Sequence, residues 1–184
     1  MQSITVKELM VPLSEYATVS EDATLSEAVL ALDEAQKRVE ADREKHRAVL
    51  VLDKTGQVVG KLDQWSVLWA LEPRYKQMGN LRETSRYGFS PEFLKSMVET
   101  YGLWRKPMDG LCKKAAAMTM KEIMQTPAAG EYIAEEASLD TAIHLLVMGR
   151  HQSLLVKRGE DTVGILRLSD VFKRICDGIK ACPV

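Results

Sequence analysis

The sequence predicts a mixed α/β (α+β) protein made of two copies of one β-α-β-β-α unit, with a mainly helical insert between them. The chain matches itself at a long offset, each copy switches between helical and strand periodicity in the same order, and the segment between the copies differs in composition. At an offset of 114, residues 4–32 align with 118–146, with eight identities: Thr5/Thr119, Lys7/Lys121, Glu8/Glu122, Met10/Met124, Glu21/Glu135, Ala23/Ala137, Leu25/Leu139 and Ala28/Ala142. Average residue usage would supply about two. The offset slips to 105 at His46/His151, Leu50/Leu155 and Val51/Val156, then to 104 at Val59/Val163, Gly60/Gly164, Leu62/Leu166 and Val67/Val171.

Each copy opens with a short apolar strand segment, Thr18-Val19 or Tyr132-Ile133, followed by an acidic stretch. Thr24 and Ser138 are placed to cap the next helix, and Thr24 with Glu27 spells a capping box. Leu25, Ala28, Val29 and Leu32, matched by Leu139, Ala142, Ile143 and Leu146, recur at helical spacing and mark a buried face. Two apolar runs, Ala48–Leu52 and Val58–Leu62, flank the turn residues Asp53-Lys54-Thr55-Gly56 and read as a hairpin. Leu154–Val156 and Val163–Leu166, around Arg158-Gly159-Glu160-Asp161, repeat it. Asp63 and Ser169 fall near the start of closing helices, the first of which Pro73 stops. A unit this small cannot cover both faces of its sheet, so the copies are expected to pack on each other.

Composition narrows the classes. With 46% hydrophobic and 28% charged residues in a 184-residue chain, disorder and fibrous repeats are excluded. Lys and Arg number 25 against 26 Asp and Glu, so net charge provides no global reason to expect nucleic acid or an anionic membrane. The apolar runs are about five residues long against the roughly 20 a membrane span needs. The first eight residues lack the basic and apolar regions of a secretory signal. Cys112, Cys176 and Cys182 have no Cys-x-x-Cys spacing, and a reducing cytoplasm is the expected setting.

The motif set Val6-x-x-Leu9-Met10, an acidic-Ala-Thr-Leu-x-x-Ala run, a His before an aliphatic strand, and Gly-aliphatic before Asp and a helix occurs twice in order. It resembles the cystathionine-β-synthase (CBS) domain, here as a tandem pair or Bateman module. The repeats would span residues 1–71 and 118–184, with a long first helix at about 24–46 and the insert at 72–117. The resemblance implies a pseudo-twofold module, a homodimer, and clefts that take AMP, ADP, ATP or S-adenosylmethionine as regulatory ligand rather than cofactor. The family's Gly-aliphatic-aliphatic-Thr/Ser-x-x-Asp motif, whose Asp holds ribose hydroxyls, reads Gly164-Ile165-Leu166-Arg167-Leu168-Ser169-Asp170. Arg167 replaces the hydroxyl residue, and its fork suits a phosphate. Tyr132 and Ile133 match the segment beside the base, and His151–Ser153 precede the central strand. The ligand set implied is therefore Asp170, Arg167, Ser169, Gly164, Tyr132, Ile133, His151 and Ser153. In copy one the motif is degenerate: Ser66 stands at the Asp position, and Asp63, which repels phosphate, at the hydroxyl position. Thr18, Val19, His46, Asp63 and Ser66 would form that second, degenerate site.

His46 and His151 occupy equivalent places without the ligand partners of a zinc site, so they read as strand-start residues and no metal is expected. The paired Met10 and Met124 read as core. No Gly-rich phosphate loop, nucleophile elbow or His-Glu-x-x-His motif is present, and no enzyme is expected. Between Asp33 and His46 lie nine charged residues, including Asp33/Lys37 and Glu34/Arg38 at i, i+4, which predicts a solvated helical extension. The insert holds nine basic and five acidic residues and six of the eleven aromatics. Ser90 as N-cap, Pro91 at the first helical position and Gly102 as stop define a helix carrying Phe93, Met97, Val98 and Tyr101. Its aromatics are expected as core of a small subdomain, and single-stranded nucleic acid is the disfavoured alternative. The expected function is a nucleotide-sensing regulatory module that signals to an unidentified protein partner without membrane association. The alternative is a ligand-free dimeric scaffold whose clefts are filled by its own side chains, such as Trp65 and Arg167.

Overall fold

A computed structural model of the chain describes residues 4–38, 45–72, 74–75, 88–103 and 110–182. The first repeat runs β1 (Val11–Pro12), β2 (Thr18–Ser20), α1 (Leu25–Arg38), β3 (Ala48–Leu52), β4 (Val58–Asp63) and α2 (Gln64–Leu71). Among the described residues two helices follow, α3 (Pro91–Tyr101) and α4 (Leu111–Ala117). The second repeat runs α5 (Met120–Ile123), β5 (Tyr132–Ala134), α6 (Leu139–Gly149), β6 (Ser153–Arg158), β7 (Asp161–Arg167) and α7 (Leu168–Lys180). From β2 and from β5 the order is the expected β-α-β-β-α. In each, the first strand is parallel to the second and the second antiparallel to the third.

Local chemistry explains the elements. Thr24 and Glu27 complete the capping box, with the Thr24 N–H donating to the Glu27 carboxylate at 2.6 Å and the Glu27 N–H to Thr24 Oγ1 at 3.3 Å. Ser138 Oγ accepts from the Thr141 N–H at 3.2 Å. Asp53 Oδ1 gathers the Thr55 and Gln57 N–H groups, and Gly56 supplies the positive φ of 85° that closes the β3–β4 turn. Ser90, Pro91 and Gly102 delimit α3 as expected, with Gly102 left-handed at φ 59°.

The two repeats trade their leading segments. Val6 is fully buried in the second repeat's core with Ile133, Leu146, Leu154, Val156 and Leu166. Its equivalent Met120 is fully buried in the first repeat's core with Leu25, Ala28, Val51 and Leu62. Backbone bonds repeat the exchange: Val6 N–H to Ala137 O at 2.9 Å mirrors Met120 N–H to Ala23 O at 2.8 Å, and Lys7 N–H to Glu135 O mirrors Lys121 N–H to Glu21 O, both at 3.0 Å. β1 joins the second sheet through Val11↔Ile165 and Pro12↔Gly164, giving the order β1-β7-β6-β5, while Gln125 bridges Lys61 at the edge of β2-β3-β4. A third cluster, Tyr16, Leu50, Val58, Leu155 and Ile165, joins the two sheets.

Two expectations change. The first helix does not extend to His46: Lys45–Arg47 lie outside any helix, because His46 is buried edge-on against Tyr16, ring centroids 4.3 Å apart, at the start of β3. The described part of α1 carries the expected exposed pairs Lys37–Asp33 and Arg38–Glu34, while residues 39–44 lie outside the described residues. The apolar face of α3 is not core either, since Phe93, Leu94, Val98 and Tyr101 are exposed. Its C-terminus is held instead by Arg74, whose guanidinium donates to the Gly102 carbonyl, while Tyr75 stacks on Trp69 of α2. Pro73, Tyr87 and Trp104 lie outside the described residues.

Candidate ligand-binding site between the repeats

The strand-to-helix junction of each repeat holds a short polar bridge. In the second repeat the Arg167 Nε and a terminal guanidinium nitrogen donate to both oxygens of Asp170, at 2.5 and 2.7 Å. Arg167 is buried at the end of β7 and Asp170 lies in the first turn of α7, where the helix N-terminus favours its charge. In the first repeat Asp63 caps α2, its Oδ1 accepting from the Ser66 N–H at 2.8 Å and the Ser66 hydroxyl at 2.6 Å. Ser66 in turn accepts from Gln125 of the second repeat at 2.8 Å. That bridge is neutral at its far end and closed by the exchanged segment.

Two clefts of about 470 Å³ flank Arg167. One is lined by Lys45, Arg47, Lys61, Asp63, Ser153, Ser169 and Arg167, with Tyr16, Trp65 and Phe172 as aromatic walls. Of the four cations there, Arg167 is paired with Asp170 and Lys61 with Glu131. The other is lined by Glu8, Met10, Glu15, Lys173, Arg174 and Asp177 together with Arg167 and Asp170. The structure thus places Arg167 at the wall common to both, Ser153 and Ser169 on the cationic side and Asp170 on the other.

The remaining residues of the expected ligand set line neither of these clefts. Gly164 is buried beside the exchanged segment, where an added Cβ would stand 2.6 Å from the Val11 carbonyl oxygen. Ile133 is core, and Tyr132 carries Lys157 Nζ 5.0 Å from its ring centroid. The His151 ring packs on Gly149 at the end of α6, so closely that a Cβ on Gly149 would overlap it. Of the degenerate set, Asp63 lines the cationic cleft. Thr18 and Val19 pair with Leu50 and Val51 inside the first sheet, and Ser66 is buried in its bridge. His46 is buried with its Nδ1 unpartnered.

Burial shapes the titrating groups around Arg167. The Tyr16 phenol is pushed up to about 12, chiefly by desolvation, with the nearby Arg167 and Asp170 charges opposing each other. His46 is lowered by burial and then by the Arg167 charge. Burial drives the Glu131 carboxyl up, but the hydrogen bond from Lys61 and those of its surroundings bring it below the usual carboxylate range. The Lys61–Glu131 ion pair joins the repeats, with side chains only 11% and 14% exposed. Motif reading misses this pair. Its signal is in the alignment, where Lys61 interrupts an apolar strand at the position of Ile165.

The CBS domain family model matches residues 6–73 and 120–177. A search of curated proteins gave no match. Among solved structures, the chain is similar to the CBS domain of a CBS domain-containing membrane protein from Sphaerobacter thermophilus, with 20% identity, a TM-score of 0.61, and 94% of this chain and 88% of that one covered. It is also similar to the CBS-pair protein CBSX2 from Arabidopsis thaliana, with 15% identity, a TM-score of 0.63, and 98% and 100% covered. A structure of CBSX2 in complex with AMP aligns at 18% identity and a TM-score of 0.59, covering 94% and 97%. The family match covers both repeats and most of the chain, and the reciprocal packing of those repeats is that of one paired module: the chain belongs to the CBS domain family.

Proposed function

We propose that this chain is a regulatory module that takes an adenosine-containing nucleotide between its repeats and acts by binding, without a catalytic step. The ribose hydroxyls would be accepted by Asp170 and a phosphate by Arg167, with the nucleotide as regulatory ligand rather than cofactor. The observation that carries this reading is the Arg167–Asp170 pair, an acceptor for hydroxyls and a donor fork for phosphate, at the border of two clefts each large enough for a small ligand. The AMP complex of the structurally similar CBSX2 supports the ligand class. Occupancy would signal by favouring one arrangement of repeats or protomers over another. A homodimer is supported by the exposed α7 stripe Leu168, Phe172, Ile175 and Ile179, with Trp65 of α2 sharing a cleft with Leu168 and Phe172.

Thermal shift against AMP, ADP, ATP and S-adenosylmethionine tests the reading, since a ligand at 100 times its dissociation constant adds about 2.7 kcal/mol. A shift lost in Asp170→Ala is expected. No shift with any of the four, or a shift unchanged in Asp170→Ala, rejects it. The second reading, a ligand-free dimeric scaffold, is favoured by one observation: Arg167 already donates to both Asp170 oxygens. Capture of one stoichiometric partner, unaffected by nucleotide, would support that scaffold.

A further inference from the structure

The duplication gives residues of the Asp170 cleft a counterpart in the first repeat. Met10, Val11, Asp170, Lys173 and Arg174 line that cleft, and at offsets of 114 and 104 they correspond to Met124, Gln125, Ser66, Trp69 and Ala70. Where the second repeat presents polar side chains to open space, these counterparts are engaged with the chain itself. Ser66 and Ala70 are buried. The Gln125 side-chain amide donates to Ser66 Oγ at 2.8 Å, and its backbone pairs with that of Lys61 in both directions. The Met124 side chain lies over Gly60. Trp69 is stacked on Tyr75, with ring centroids 4.7 Å apart and planes 23° from parallel. Tyr75 stands at the root of the insert, next to the Arg74 that holds the end of α3. We infer that this root is a built-in plug: Tyr75 on Trp69, with Gln125 on Ser66 beneath, fills the first repeat's counterpart of the Asp170 cleft, so the chain takes one ligand rather than two.

This inference rests on the proposed nucleotide site and fixes how many ligands the chain takes there. A stacked aromatic pair and a hydrogen bond to the helix turn give the first junction, from within the chain, the kinds of contact that a base and a ribose hydroxyl would bring from outside. A ligand entering on this side would have to unstack Tyr75 and break the Gln125 bond. It would then meet the Ser66 hydroxyl where the second repeat offers a carboxylate. Asp63 is committed to the cap of α2, because its Oδ1 accepts from both the Ser66 N–H and the Ser66 hydroxyl. Lys61, at the position of Ile165, adds its buried ion pair with Glu131 between the repeats. The repeats thus divide their roles: the second holds a ligand that comes and goes, and the first holds a side chain of the insert that stays.

Calorimetric titration of the full chain with AMP, ADP, ATP and S-adenosylmethionine, each in turn, counts the sites. One equivalent per chain is expected for a ligand that binds, with binding lost in Asp170→Ala. A further variant gives the first junction the residues of the second, Asp63→Arg/Ser66→Asp/Trp69→Lys/Gln125→Val, together with Tyr75→Ala to remove the plug. Where circular dichroism shows it folded, it is expected to take two equivalents. Two equivalents in wild type overturn the plug and leave the nucleotide site intact. So does a count of one in the folded unplugged variant. The wild-type count decides the matter even where five substitutions prevent folding. One equivalent that survives Asp170→Ala places the ligand elsewhere and overturns both the plug and the nucleotide reading, as does the failure of all four ligands to bind.

Discussion

Arg167 and Asp170 close the last strand-to-helix junction with two hydrogen bonds of 2.5 and 2.7 Å, and Asp63 and Ser66 close the equivalent junction of the first repeat with reversed polarity. In one repeat the strand end supplies the donor and the helix turn the carboxylate. In the other the carboxylate is at the strand end and caps the helix itself. The same three-residue spacing therefore yields an ion pair in the second repeat and a helix cap in the first, and both Arg167 and Asp63 border one open cleft.

The buried pair between repeats should be a stability determinant. Glu131→Gln or Lys61→Met leaves one charge without its partner and is expected to cost roughly 3 kcal/mol in denaturant unfolding. The double change Lys61→Met/Glu131→Leu should recover most of it, because the desolvation of both charges is then removed. A double variant as unstable as the sum of the singles would show that the pair does not couple the repeats.

The exchanged segments predict an asymmetry between two equivalent glycines. A Cβ at Gly164 meets the Val11 carbonyl oxygen, which the β1–β7 pairing holds in place, whereas one at Gly60 meets the movable Met124 side chain. Gly164→Ala should cost about 1–3 kcal/mol, as overpacking does, and Gly60→Ala less. Equal costs by equilibrium unfolding would contradict this account.

Stability should fall on both sides of neutral pH. His46 has a lowered folded value, so its contribution is complete above the ordinary histidine value near 6.5 and is lost as pH falls through the folded one. Glu131 and Glu135, also lowered, add a second loss below about pH 4.5, Glu135 chiefly through its hydrogen bond from Arg158. Tyr16 is raised to about 12, so its contribution is complete below pH 10 and lost above. Thermal melts across pH should show the acid losses, with His46→Phe removing the one nearest neutrality. Absorbance titration should show one tyrosine ionising about two units late, and absent in Tyr16→Phe.

The α7 stripe should set the oligomeric state. Phe172, 64% exposed, and Ile179, 67% exposed, lie on the face with Leu168 and Ile175, spaced four, three and four residues apart. Light scattering after gel filtration is expected to give a dimer for the wild type and a monomer for Phe172→Glu/Ile179→Glu. A mass unchanged by the double substitution would place any self-association elsewhere.

Much of the fold is legible in the chain because it depends on neighbours in sequence. Thr24 and Glu27, Ser138, the Asp53–Gly56 turn and the Ser90-Pro91 start of α3 are local devices, and each forms as its residues predict. The site is less legible. The identities Thr5/Thr119, Lys7/Lys121, Glu8/Glu122 and Glu21/Glu135 announce a duplication. Their spatial role, docking each leader on the opposite repeat through contacts such as Lys7–Glu135 and Lys121–Glu21, emerges only when the copies are placed together. Helical periodicity likewise identifies the apolar face of α3 but not whether anything covers it.

By itself the sequence determined the doubled β-α-β-β-α unit, its caps and turns, and the presence of arginine and aspartate at the final junction. Tertiary structure alone decided that β1 joins the second sheet, that Val6 and Met120 fill each other's cores, and that the junction residues divide between two clefts of unlike charge. The physical reason is separation along the chain. Caps and turns are closed by partners within about four residues, whereas Lys61 and Glu131 meet across 70 and Val11 and Ile165 across a sheet edge. No local pattern specifies such a meeting, and it is those long-range contacts that set Arg167 between the two clefts with Asp170 in its grasp.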